Sequence, residues 1–228
     1  MQMTSVRLGG LLAAVGGLLS AAVMVFSPGI GGDLTQQLAD VAHSDALVAT
    51  NLLDLFATLL IVVGVLAVLQ VLAADPQGEP FAVAARPLVV IVGAIALIGD
   101  ALSLVPYRLI AENYALSTDA NRQSVLDSAF SMNATLFAFG ALESLLLAGL
   151  IPVLVGSAIL RTRLFPQWLA FAALAGGAVE IVLSVLALLP ANTPDLSILD
   201  MIARLLIAAT LVAAGFLMWR GEGTASRP

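Results

Sequence analysis

Six stretches of this chain are long and apolar enough to cross a lipid bilayer, and no other feature narrows its fold so far. A helix crossing a hydrocarbon layer of ~30 Å needs ~20 mostly apolar residues. Residues 8–27, 46–73, 87–106, 131–160, 167–189 and 197–219 each meet that length. Breakers fall between them: Pro28-Gly29, Asp75-Pro76-Gln77-Gly78, Phe165-Pro166 and the segment from Pro190 to Pro194. The fold expected is an all-α, polytopic integral membrane bundle of six transmembrane helices. It forms a single domain over residues 1–220, followed by a disordered tail at 221–228. The second and fourth spans exceed the length needed, so they tilt or project beyond the bilayer. Pro152 falls inside the fourth span, where its missing N–H predicts a kink. The first span reads as a retained anchor. Its apolar core of ~20 residues exceeds the 7–15 of a cleaved leader, and no small-x-small site ends it.

Composition agrees and excludes several chemistries. Hydrophobic residues make up 61% of the 228 and charged residues 11%, against about 45–50% and about 25% in soluble chains. There is no Cys, which rules out disulfides, thiolate metal sites and S-acylation. His43 is the only histidine and sits outside the spans, so multi-His metal sites and a membrane Ser–His pair are excluded. All nine basic residues are Arg, and without Lys no retinal Schiff base can form. No cofactor is called for. A net charge of −6 argues against a nucleic-acid partner.

Arginine placement sets the expected orientation. With the N-terminus inside, Arg7, Arg86, Arg161, Arg163, Arg220 and Arg227 lie on the cytoplasmic side, against Arg108 and Arg122 outside. Both termini are therefore expected in the cytoplasm. Acids show the reverse bias: Asp33, Asp40, Asp45, Glu112, Asp119, Asp127 and Asp195 face out. Trp168 and Trp219 fall at cytoplasmic helix ends and Tyr107 and Tyr114 at the outer edge, the pattern of two aromatic belts. Asp33-Leu34-Thr35-Gln36 reads as a variant capping box. It opens a short amphipathic helix with Leu34, Leu38, Val41 and Ala42 on one face, expected to lie along the outer interface. Residues 107–127, with Arg108 and Glu112 four apart and Thr118 as an N-cap, are expected to run on into the fourth span.

Charges inside the spans carry the only chemistry. Asp54, Asp100, Glu143, Glu180 and Arg204 are the candidate ligand- or ion-binding residues. A charge at mid-membrane costs about 2.5–3.5 kcal/mol on insertion scales, so each needs a partner, a proton or water. At ~1.5 Å per residue they lie roughly 9 to 18 Å below the outer helix ends. That shared depth predicts one polar cavity open to the outside. Asn51, Asp54 and Thr58 share a face of the second span, as do Asp100, Ser103 and Tyr107 on the third. Ala173, Gly176, Gly177, Glu180, Ser184 and Ala187 form a small-residue stripe on the fifth, and Gly9, Ala13 and Gly17 another on the first. Four carboxylates against one arginine leave a charge deficit that protons or a bound cation must fill. For Arg204 the expected partners are Glu180 across a short loop and Asp200 one turn away.

The run Leu160-Arg161-Thr162-Arg163-Leu164-Phe165-Pro166-Gln167-Trp168-Leu169, followed by Ala175-Gly176-Gly177, resembles a turn between the fourth and fifth helices of a bacterial and archaeal membrane family. That family is catalogued as domain of unknown function 4386. Its members carry an Arg-rich turn, then Pro-Arg-Trp-Leu, then a Gly-containing helix; here Gln167 stands where they have a basic residue. The opening Arg7-Leu8-Gly9-Gly10-Leu11 also resembles theirs. The resemblance implies six spans over nearly the whole chain in the plasma membrane of a prokaryote, and it implies no activity or site residue. On the residues themselves, the expected partners are the lipid bilayer and a small molecule or ion. The expected role is binding or permeation of a proton, a cation or a small amphipathic molecule. The alternative is a structural or assembly component whose buried charges only pack helices, and catalysis is the remotest reading.

Overall fold

The computed structural model describes residues 2–27, 32–189 and 196–221. The Pro28-Gly29 and Pro190–Pro194 breakers, Asp195, Glu222, Arg227 and the remainder of the tail lie outside the described residues. Among the described residues there is no strand. The helices are α1 (Gln2–Phe26), α2 (Leu34–His43), α3 (Asp45–Leu72), α4 (Glu79–Leu104), α5 (Pro106–Leu116), α6 (Asp119–Glu143), α7 (Ile151–Thr162), α8 (Gln167–Ala187) and α9 (Ser197–Arg220). A π-helical segment, Ser144–Leu150, joins α6 to α7. Six continuous lengths of helix are long and apolar enough to cross a membrane, the fourth running unbroken from Asp119 to Thr162.

Local chemistry explains where these helices start and stop. The Asp33 carboxylate accepts the Gln36 N–H at 2.9 Å, forming the expected cap of α2. The Ser44 hydroxyl caps α3 by accepting the Leu47 N–H at 3.2 Å. Thr118 holds the N-cap position of α6 through its backbone carbonyl, with no side-chain bond. The third span starts at Glu79, earlier than residue 87. Pro80 sits in the first turn, where an N–H has no acceptor to lose, and Pro87 is carried inside the helix. Arg86 is therefore helical, and its Nη2 donates to the Leu69 carbonyl at 3.5 Å.

Pro152 acts upstream of itself. It occupies the first turn of α7, immediately after the π-helical segment. Its ring cannot donate to the carbonyl four residues back and would crowd it, and the wider π turn makes room. The same turn brings Gly149 against α8, where a methyl group at Gly177 would stand 2.6 Å from the Gly149 carbonyl oxygen.

In the assembled bundle each span packs on its neighbours in sequence, and α9 closes the ring by packing on α1. Glycine makes that closure. A methyl at Gly10 would stand 2.6 Å from the Gly215 carbonyl oxygen of α9, and one at Gly16 2.8 Å from the Ile61 nitrogen of α3. The expected single stripe on α1 is thus two adjacent faces. Gly10 and Gly17 meet α9, while Gly9, Ala13 and Gly16 meet α3. These pairings run early α1 against late α9, so the start of α1 and the end of α9 lie at one end of the bundle.

At the opposite end a second, smaller core departs from two expectations. The apolar face of α2 is spent on protein. Leu38 is fully buried, and with Val41 it packs among Leu47, Tyr107, Ala111 and Ala129 from α3, α5 and α6. The tyrosines do not form a lipid-facing belt. Tyr107 is 8% exposed in that core, and Tyr114 packs against it with the Arg122 guanidinium 5.6 Å from its ring centre. Both groups satisfy the amphipathic logic by facing other helices, α2 packing on α5 and α6 and the α5 tyrosines joining the same core. Trp168 and Trp219 do stay exposed.

Candidate functional site

The polar centre is built from spans that each bring one or two charged side chains to a common level. Asp54 on α3, Glu143 at the end of α6 and Arg204 on α9 line one cavity of about 240 Å³. Thr58, Ser20 and Thr210 add hydroxyls to its wall, and Ile61, Leu147, Ile151 and Leu211 make it largely apolar. Asp100 on α4 lies beside it, within reach of the Thr58 hydroxyl and of the charge on Asp54. One of its carboxylate oxygens, Oδ2, is buried with no hydrogen-bond partner.

Arg204 is the hub. Its Nε donates to Asp200 Oδ1 at 3.1 Å, and its Nη2 donates to the Ser144 hydroxyl at 2.9 Å. Glu180 Oε1 stands 3.6 Å from the same Nε, an ionic contact beyond hydrogen-bond range. One guanidinium thereby ties α9 to α8 and to the π-helical turn of the fourth span. Both expected partners are present, with their ranks exchanged: Asp200 takes the hydrogen bond, because it lies on the same helix at i, i−4 and needs no interhelical fit. Glu180 is fully buried, and neither of its carboxylate oxygens has a hydrogen-bond partner.

Three of the five sequence candidates, Asp54, Glu143 and Arg204, line one cavity, while Glu180 joins them only through Arg204 and Asp100 is outside the lining. The polar faces read from spacing are split. Asn51, Ser103 and Tyr107 line a separate cavity of about 250 Å³ near α2, together with Arg108 and Asn133. Arg108 there pairs with Glu112 at 2.8 Å and lies 3.6 Å from Asp45. His43 stays on the surface, its Nδ1 2.9 Å from the Ala39 carbonyl, which leaves it apart from the membrane serines.

Sequence reasoning missed Ser144, whose orientation depends on the π turn. The only advance signal for that turn is Pro152 eight residues later. Ser184 was visible as a stripe residue one turn after Glu180. Nothing in the spacing showed that its hydroxyl would be buried with no partner.

A ring of six membrane-length helices around an acid-lined interior defines a polytopic membrane protein with a polar core. The chain belongs to the family described as Domain of unknown function (DUF4386), whose sequence profile matches residues 8–221. No curated protein and no solved structure matches it.

Proposed function

We propose that the central cavity binds or permeates a proton, a cation or a small amphipathic molecule. The single observation that carries this reading is that Asp54 and Glu143 line the cavity against one cation, Arg204, already engaged by Asp200 and Glu180. Its apolar walls suit the body of an amphipathic ligand and its acids suit a positive head. The arginine bias favours both termini in the cytoplasm and the α2 end outside, and the family resemblance favours the plasma membrane of a prokaryote.

Vesicles reconstituted with the protein and loaded with a pH-sensitive dye test it. A pH step, then sodium and tetraethylammonium gradients, should give a flux or a dye response beyond empty vesicles. Glu143→Gln and Asp54→Asn should remove that response while melting within a few degrees of wild type. Equal behaviour of wild type, both variants and empty vesicles sinks the proposal.

A second reading has its own support. Arg204 joins three spans through Ser144, Asp200 and Glu180, and that is what a packing clamp needs. Under this reading the protein is a structural membrane component, and the acids matter only for folding.

A further inference from the structure

A third cavity, of about 430 Å³, lies between the fourth span, α8 and α9. Its polar wall includes Ser144, Ser184, Asp200 and Arg204, and Phe137 and Leu186 contribute to its apolar wall. Glu143 and Arg204 line this cavity and the central one, so they form the partition between the two.

One polar atom of its wall lacks a hydrogen bond. Ser184 is 5% exposed, lines the cavity, and its Oγ has no partner. Glu180, one turn earlier on α8, is fully buried behind that wall and joins it through Arg204. Charge around the wall is unbalanced as well. Asp200 lies close enough to Glu180 for the carboxyls to interact, and both share one guanidinium. A buried oxygen left without a donor costs about 1–3 kcal/mol. A group that brings an N–H donor and one positive charge gives Ser184 Oγ a partner and offsets the excess of carboxylates around Arg204.

We infer that this third cavity is a binding site for a small amphipathic ammonium compound. Its head donates to Ser184 Oγ and the Asp200 carboxylate, and its hydrocarbon body lies along Phe137 and Leu186. A carboxylate or a neutral alcohol of the same length lacks the charge and meets the negative wall. The site goes beyond the central-cavity reading, and Ser184 and Asp54, each confined to one cavity, separate the two.

The test is thermal unfolding of the full chain in nanodiscs of neutral phosphatidylcholine, titrated with hexylammonium, hexanol or hexanoate. Hexylammonium should raise Tm, and the other two should not. Ser184→Ala should weaken the half-saturating hexylammonium concentration by about tenfold, the value of one charged hydrogen bond. The same variant should leave the unliganded Tm unchanged or higher, since it deletes an acceptor that lacks a partner. Asp200→Asn should weaken the titration further, and Asp54→Asn should leave it as in wild type. Equal stabilisation by hexanol, or an unchanged titration in both Ser184→Ala and Asp200→Asn, overturns the inference. Loss of the titration in Asp54→Asn alone places the amine in the central cavity and overturns it too.

Discussion

Two parts of this bundle solve opposite problems. Where α1 meets α3 and α9, helices touch backbone to backbone through Gly9, Gly10, Gly16, Gly17, Gly64 and Gly215. Around Ser144, beyond the close Gly149–Gly177 contact, the fourth span meets α8 and α9 through a guanidinium, two carboxylates, two serines and open space. In lipid, apolar side chains gain nothing by leaving one apolar surrounding for another, so close fit decides association. The glycine seam is therefore the rigid frame. The polar seam sacrifices fit to keep charges in the membrane, which is the arrangement expected of a part that handles a ligand.

The largest expected effect attacks the frame. In Gly64→Leu the new side chain starts against the Ala13 backbone, which has no flexible end to yield. Overpacking should cost about 3 kcal/mol or more, read as loss of folded protein by detergent unfolding. A mild effect would show that the seam is looser than it looks. Next comes the clamp. Arg204→Ala should cost about 2–3 kcal/mol, below the ~3–5 of a fully buried pair. The discount follows from the arginine side chain's 39% exposure. In a double-mutant cycle Glu180→Ala should couple to it by more than about 0.5 kcal/mol, and strict additivity would remove Glu180 from the clamp.

The smallest effect lies outside both seams. The Asp33 carboxyl is held below its usual value of 3.8, first by the Thr35 hydroxyl and then by the Gln36 N–H. A carboxyl with a depressed folded-state value contributes stability above that ordinary value and loses it as pH falls through the folded one. The protection of the Gln36 amide, taken relative to its intrinsic exchange rate at each pH, should therefore fall at acidic pH, and Asp33→Ala should show the lower protection already at neutral pH. The glycine and clamp variants should leave it unmoved.

Much of this architecture is legible in one dimension. The number of membrane-length helices, the Asp33 cap and the run of α6 into the fourth span all follow from local hydropathy and spacing. These properties depend on each helix alone. How far each helix is rotated about its axis depends on which neighbour its small residues fit, and spacing holds no record of that. For this reason only the tertiary structure decided that α2 packs on α5 and α6 and that Tyr107 is buried in the same core. It also decided that the α3 polar face divides between two cavities and that Asp200 outranks Glu180 at Arg204. The π turn is the sharpest case. Pro152 announces a disturbance of the fourth span, but only the fit of Gly149 against Gly177 turns that disturbance into a register that brings Ser144 to Arg204.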